Sequence, residues 1–556
     1  MWACVLAAAL GCGGESETKE GEHVTLQRPA AAVRPTEPAP TVAPFTPLSA
    51  PRLLRRMSLD LRGVLPSVEE LDAVEADPAA LEPILDSYLE DPRLANRLVD
   101  LLAEQWWTRV DVFDIVFEDY FLDPTQEFAF ERAIGEEPLR LVAQVMAENQ
   151  PYTDIVTSDT TMANELLGAL WPLDYPEGAV GWRRVAYTDG RPAAGVLTTN
   201  GLMWRYTATR SNMNRGRAAA LSRLLLCEDY VVRPVNFSAA SSDVSDPERA
   251  IRTDPYCVTC HASLDPIAAT FFGFWWITLY SRIEQQTYHP EREALAEEIM
   301  GVSPGWYGEP VADLGELGVA VANDPRFYSC AVETWTRAFW RRPLVAEDQP
   351  EAEALRLALV EADARPIPLL RAILMSAEYQ AGAVVTEAPE VEARALTARP
   401  LSPEVLETSL AERTGFRWQS QGFEQLRNDD HGYRIFAGGV NGISVVEPAV
   451  LPSVTSALVS VRIGEGAGSA AVRQALADPE APTLLRGLDL ELEPEEPAFE
   501  ALIDAAAWQL HGVRLPTEQR EELVTLWAAI VPAVGPAAAW EAVVSALVQD
   551  PLFLTD

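Results

Sequence analysis

RLLRRMSLDLRGVLPSVEELDAV (residues 52–74), followed after a short interval by YLEDPRLANRLVDLLAEQWW (residues 88–107), is where the class of fold can be read. Apolar residues recur here at helical rather than alternating spacing. Residues 52–61 predict a basic amphipathic helix of one or two turns. Gly63-Val64-Leu65-Pro66 breaks it, and Ser67 followed by Glu70 has the Ser-x-x-Glu spacing of a capping box that starts the next helix. Asp91-Pro92 ends a further helix, because the residue before a proline is pushed out of the helical region. Another spans residues 94–109 and closes on Trp106-Trp107. Successive helices without intervening strands predict a mainly α, multi-domain protein.

Composition sets the outer bounds. A chain of 556 residues is too long for one core and suggests three or four units. Hydrophobic residues at 48% and charged ones at 23% are globular values. The balance of 43 Lys and Arg against 83 Asp and Glu gives a net charge of −40. So acidic a chain repels nucleic acid, which is excluded as a partner. No run of eighteen apolar residues occurs, so nothing spans a membrane as a helix.

The segment DPYCVTCHASLDPIAATFFGFWWITLY (residues 254–280) names a cofactor. Cys257, Cys260 and His261 have the Cys-x-x-Cys-His spacing of c-type haem attachment, in which two thiols take the porphyrin and the adjacent imidazole takes the iron. With six Cys and five His in the chain, chance would give this pattern on the order of 0.0006 times. A thioredoxin-like pair, half of a zinc site and a structural disulfide are the competing readings. The first needs a βαβ setting and the second needs further ligands at short range. Phe271, Phe272, Phe274, Trp275, Trp276 and Tyr280 offer flat surfaces for a porphyrin, with ordinary core as the alternative. One motif implies one covalent haem c per chain.

The N-terminal residues MWACVLAAALGC resemble the tail of a lipoprotein signal, with Cys12 as the lipidated residue; a plain secretory signal or a buried apolar N-terminus are the alternatives. Export fits the motif, since c-type haem is attached outside the cytoplasm. Residues 13–50 read as a disordered tether, and His23 within it has no assigned role. Cys4 lies in the signal; once Cys12 takes lipid and the haem takes two thiols, Cys227 and Cys330 are the mature cysteines that remain. In an oxidising compartment they predict a disulfide closing about a hundred residues, for which chain entropy allows on the order of 4 to 5 kcal/mol.

The stretches quoted at the outset closely resemble the helical domain of secreted planctomycete-type cytochrome-like proteins, which also recur in myxobacteria. The resemblance extends to Thr161-Met162-Ala163-Asn164-Glu165-Leu166-Leu167, Gly195-Val196-Leu197-Thr198, Arg215-Gly216, Leu225-Leu226-Cys227, Leu264-Asp265-Pro266-Ile267, Phe327-Tyr328-Ser329-Cys330, Phe339-Trp340-Arg341-Arg342-Pro343-Leu344 and Arg399-Pro400-Leu401-Ser402-Pro403-Glu404. It departs after Ile267, where Ala268, Ala269 and Thr270 replace the family's Gly and acidic run. It implies an exported, redox-associated protein.

Arg205, Arg210, Arg215 and Arg217 form a basic cluster, read either as a clamp for haem propionates or another anion, or as a solvated face. Among Met203, Met213, His289 and Met300 as ligands for the far side of the iron, Met213 is chosen; His289 and Met300 lie in polar stretches. His431 and His511 are read as surface or capping residues. Residues 126–175 predict helix with an acidic face. A repeat of 173 residues puts Trp335, Arg341, Pro343 and Leu374 on Trp508, Arg514, Pro516 and Leu547, with residues 63–94 a looser third copy.

The expected organisation is therefore a lipoprotein-type signal (1–12), tether (13–50), N-terminal helical domain (51–125), helical domain leading to the haem site (126–245), c-type haem domain (246–345), helical module (346–395) and C-terminal helical domain with the repeated module (396–556). The expected function is an exported monohaem c-type cytochrome-like lipoprotein of the cell envelope, periplasmic or anchored at the outer membrane. It would transfer electrons to or from an unidentified redox protein, or be the haem subunit of an oxidoreductase. The alternative is an envelope scaffold with structural cysteines. No G-x-S-x-G or H-E-x-x-H motif supports a hydrolase.

Overall fold

In the computed structural model, which describes residues 45–111, 113, 122–232, 247–275, 287–384 and 399–556, the opening stretches form four helices. These are α1 (Ala50–Leu61), α2 (Val68–Ala76), α3 (Leu81–Leu89) and α4 (Arg93–Trp106). The capping box is present: the Ser67 hydroxyl accepts from the Glu70 N–H at 3.1 Å, and the Ser67 N–H donates to the Glu70 carboxylate at 2.7 Å. α4 stops where Trp107 turns left-handed, at φ 54°.

α1 departs from its expected character. It runs for 12 residues, and its basic side is inside, with Arg55 1% and Arg56 2% exposed. The reason is hydrogen bonding to distant carbonyls. Arg52 donates to the carbonyls of His511 and Leu552 at 2.8 and 3.1 Å. Arg55 donates to those of Leu510, Thr555 and Phe553 at 3.1, 2.7 and 2.8 Å. Arg56 donates to Tyr379 and Ala381 at 2.7 and 3.1 Å. Several of these carbonyls end helices and lack intrahelical partners, which the guanidinium fork supplies.

The middle of the chain continues with α5 (Glu127–Ala147), α6 (Asp154–Thr157), α7 (Glu165–Leu170), α8 (Asn200–Arg205), α9 (Arg215–Leu226), α10 (Pro247–Thr253), α11 (Pro255–Ala269), α12 (Leu295–Met300) and α13 (Leu314–Asn323). Strands are short and pair antiparallel in twos. They are β1 (Phe45–Pro47) with β6 (Ala381–Val384), β2 (Thr160–Ala163) with β3 (Arg183–Ala186), β4 (Gly305–Trp306) with β5 (Glu309–Pro310), and β7 (Gln419–Ser420) with β8 (Phe423–Glu424). β2 interrupts the helix expected over 126–175. β-branched Thr160 and Thr161 favour the extended chain, and the Thr161 hydroxyl reaches buried Glu137 at 2.9 Å.

The repeat is expressed as whole elements. α14 (Pro325–Trp340), α15 (Gln349–Glu361), α16 (Pro366–Leu374) and α17 (Ala377–Gln380) recur, after α18 (Pro403–Thr414) and α19 (Val454–Ala477), as α20 (Pro497–His511), α21 (Thr517–Val534), α22 (Pro536–Gln549) and α23 (Pro551–Leu554). Trp335 and Trp508 are buried in α14 and α20, Leu374 and Leu547 in α16 and α22. The last short helix of each run opens on a side-chain cap. Ser376 accepts from the Tyr379 N–H, and Asp550 from that of Leu552. The matching arginines both reach the N-terminal helices. Arg341 pairs with Asp60 at 2.5 Å, and Arg514 pairs with Glu75 and Asp72 at 2.6 and 3.3 Å.

Two hydrophobic cores result. The first gathers residues between Leu53 and Tyr379 together with Trp508; the second gathers residues between Leu401 and Phe553 together with Leu59 and Leu65. The spans 51–125, 126–245, 246–345 and 346–395 thus all contribute to one core, while 396–556 builds the other. α1 feeds both, with Leu53, Leu54, Met57 and Leu61 on one side and Leu59 on the other. His511, read as a surface or capping residue, is the last residue of α20 and is fully buried rather than at the surface, with its Nε2 2.9 Å from the Leu547 carbonyl. His431 is half exposed, against the Phe423 ring. Among the described residues no helix is long and apolar enough to cross a membrane.

Candidate functional site

α11 is built to start where it does. Asp254 caps it by accepting from the Tyr256 N–H at 2.9 Å, and Pro255 takes the first position, where a missing N–H costs nothing. Cys257, Cys260 and His261 then fall at i, i+3 and i+4, on one face of the helix. Both thiols are free and half-buried.

His261 does not stand alone. Its Nδ1 lies 2.7 Å from Oδ1 of Asp265, one turn further along α11. Arg215, the first residue of α9, grips the same carboxylate with two prongs, Nε to Oδ1 at 2.8 Å and Nη2 to Oδ2 at 3.0 Å. Asp265 is 5% exposed. Burial opposes its ionisation, but the hydrogen bonds from His261 and Arg215 and the Arg215 charge outweigh it and hold the carboxyl below its ordinary range. A carboxylate at Asp265 accepts a hydrogen bond from an Nδ1–H of His261, and the tautomer that makes this bond carries its lone pair on Nε2.

This donor set fits a covalently held haem. Two unpaired thiols share a helix face with an imidazole whose second nitrogen is tied to a carboxylate, as in most metal-binding imidazoles. Cys257 and Cys260 would hold the porphyrin and His261 the iron. A zinc reading would require more ligands, and among the described residues no group of three or more His, Cys, Asp or Glu is placed to hold an ion.

α9 lies along α11 and is fastened at both ends. At its start are Arg215 and the left-handed Met213 and Asn214, at φ 47° and 65°. At its end, Cys227 forms a disulfide with Cys330 of α14, with Cα atoms 5.2 Å apart, closing a separation of 103 residues. Tyr230 just beyond meets Ser263 of α11, hydroxyl to hydroxyl, at 2.7 Å.

Three members of the arginine cluster are engaged inside the protein, which argues against their serving as an anion clamp. Arg217 is buried and donates to the carbonyls of Tyr206, Phe274 and Met203 and to the Asn214 side chain. Burial brings its pKa down to about 9. Arg205 donates to the carbonyls of Trp107 and Gly442 at 2.6 and 2.7 Å. Arg215 holds Asp265, and Arg210 is exposed.

Phe271, Phe272, Phe274 and Trp275 are buried in the first core, so their ring surface is enclosed by protein. Trp276 and Tyr280 lie outside the described residues, as do Cys12 and His23. Met213 is half-buried against the first core. Two residues further on, Arg215 joins its segment to α11 through Asp265. Met203 and Met300 are each 1% exposed; α12 lays Met300 on the core, contrary to the polar setting expected for it. Both ring nitrogens of His289 face side-chain oxygens, of Glu291 and Thr287.

Sequence reasoning did not assign Asp265 to the candidate site, and it read Arg215 as part of an anion clamp rather than as the partner of Asp265. The four-residue step from His261 to Asp265 on a helix was a usable signal; the pairing of Asp265 with Arg215, fifty residues upstream, left none.

Residues 48–173 match the family described as PSD4, protein of unknown function (DUF1592). That span covers α1 to α7 and ends before α9 and α11. No curated protein matches the chain, and no solved structure does.

Proposed function

We propose that this chain is an exported monohaem c-type protein of the cell envelope, acting in electron transfer or as the haem subunit of an oxidoreductase. The observation that carries the reading is the face of α11, where two free thiols stand beside an imidazole fixed through Nδ1 by Asp265. The group bound there supplies a one-electron couple. The residues of the chain do the rest. Cys257 and Cys260 tether it, His261 offers Nε2, and the Cys227–Cys330 disulfide holds α9 beside α11. The family match over 48–173 supports kinship with planctomycete-type cytochrome-like proteins, and lipid on Cys12 would anchor the chain to a membrane without a spanning helix. Its partner is then another redox protein.

Full-length protein, expressed for export with a haem-attachment system, should give one haem per chain in a pyridine haemochrome assay. Cys257→Ala with Cys260→Ala should give none. A colourless wild-type chain with intact cysteines would remove the proposal.

A further inference from the structure

The chain of contacts behind His261 points beyond attachment to the tuning of the group held there. We propose that Asp265, clamped by Arg215, is a positioning residue that makes His261 a strongly donating iron ligand and so lowers the haem potential below the value the same site would have without the carboxylate. The inference rests on reading Cys257, Cys260 and His261 as the haem site.

The argument begins with the hydrogen bond. An imidazole whose Nδ1–H is held by an ionised carboxylate gains imidazolate character, and its Nε2 becomes a better electron donor than one whose proton is held by a carbonyl or water. A more donating axial ligand favours ferric over ferrous iron, because the higher charge gains more from it. At 2.7 Å from a carboxylate that is 5% exposed, the interaction is short and weakly screened. Geometry keeps it in place. Both carboxylate oxygens are fixed by the Arg215 fork, and the i, i+4 step on α11 sets the His261 side. The guanidinium donates to both carboxylate oxygens and offsets part of their charge, leaving the bond to Nδ1 polarised. α9, which presents Arg215, is in turn fixed by the disulfide at its other end.

The test uses the full haem-loaded chain, with haem content from pyridine haemochrome, folding from circular dichroism and potential from a spectroelectrochemical titration. Asp265→Asn keeps the shape but loses the charge. It should retain one haem per chain while the ferric-to-ferrous ratio at a fixed ambient potential falls about tenfold, a rise of about 59 mV for a one-electron couple. Asp265→Glu, which restores a carboxylate at a longer reach, should fall between the two. Arg215→Lys keeps the charge but not the fork, and should shift the potential the same way by less. Haem-loaded Asp265→Asn whose ratio stays within about twofold of wild type overturns this inference and leaves the haem reading standing. A wild type without covalent haem overturns both. Should Asp265→Asn not fold, an unmoved potential in Arg215→Lys is the overturning result.

Discussion

Glu136 and Glu137 are neighbours in α5, both buried, with opposite electrostatic characters. Burial works against ionisation of Glu136, but Arg132, Arg140 and Arg109 surround it at 2.9, 2.6 and 3.6 Å and bring its pKa down to about 2. For Glu137 burial prevails, raising its pKa to about 7 although Tyr187, Gly201 and Thr161 all donate to it. The signs follow from linkage. Glu136 has a folded pKa below its ordinary 4.5, so it stabilises above pH 4.5 and that contribution is lost as pH falls towards 2. Glu137 has a folded pKa above 4.5, so it is neutral in effect below pH 4.5 and destabilises as pH rises through 7. Each effect amounts to about 3 kcal/mol, so the two nearly cancel at neutrality. Glu136→Gln should therefore lose about 3 kcal/mol in urea unfolding at pH 7, with the deficit shrinking below pH 4.5 and closing near pH 2. A deficit that ignores pH would show that the arginines do not act on this carboxylate. Neither character could be read from the sequence, where residues 126–175 gave only an acidic helical face. What separates the two carboxylates is which arginines the other elements bring.

At the scale of elements, α19 and α22 approach closely because α19 carries glycines where the helices cross. A Cβ on Gly468 would stand 2.2 Å from the Glu541 carbonyl, and one on Gly464 would stand 2.8 Å from the Gln549 side chain. Two effects compete in Gly468→Ala. Alanine is better than glycine inside a helix by about 1 kcal/mol. Forcing a methyl against a backbone that cannot yield pushes the helices apart, and overpacking of this kind costs about 1–3 kcal/mol. The clash is deep enough for packing to win, with a net loss of about 1–2 kcal/mol in equilibrium unfolding. A more stable variant would show that the two helices can separate freely. Elements were the most legible level. The capping box at Ser67, the proline stop at Asp91-Pro92, the Pro403 start of α18 and the 173-residue register of α14–α17 on α20–α23 are local or periodic signals. The β2 strand was missed because its pairing partner, β3, lies beyond α7 and the loop that follows it. The destination of the aromatics after α11 was equally hidden, since ring-rich sequence looks the same whether it packs on a porphyrin or on the protein's own core.

Across the whole molecule, α1 joins two cores and two helical runs. Arg55 is the most committed residue in that joint, with three carbonyl contacts and a pKa lowered by burial to about 9. Arg55→Met would relieve the burial of a charge but leave the Leu510 and Phe553 carbonyls unmet, at about 1–3 kcal/mol each. The loss should be about 3 kcal/mol overall, and limited proteolysis should cut within residues 399–556 sooner than in wild type. Unchanged cleavage there would mean that the second core holds without α1. None of this was visible beforehand, because an arginine buried on carbonyls 323 to 500 residues away resembles a solvated basic face until the chain closes on it. The same separation governs the order in which the molecule can assemble. α1 is made before residues 500–556, yet the bonds of Arg52 and Arg55 wait for residues beyond 500, so a helix synthesised early is among the last to be fully secured. Long-range closure of this kind slows folding and prolongs exposure of unfinished surface. A chain interrupted before residue 500 would leave Arg52 and Arg55 without their carbonyl partners and Leu59 and Leu65 against an unfinished core, and degradation would begin at its front rather than at its broken end.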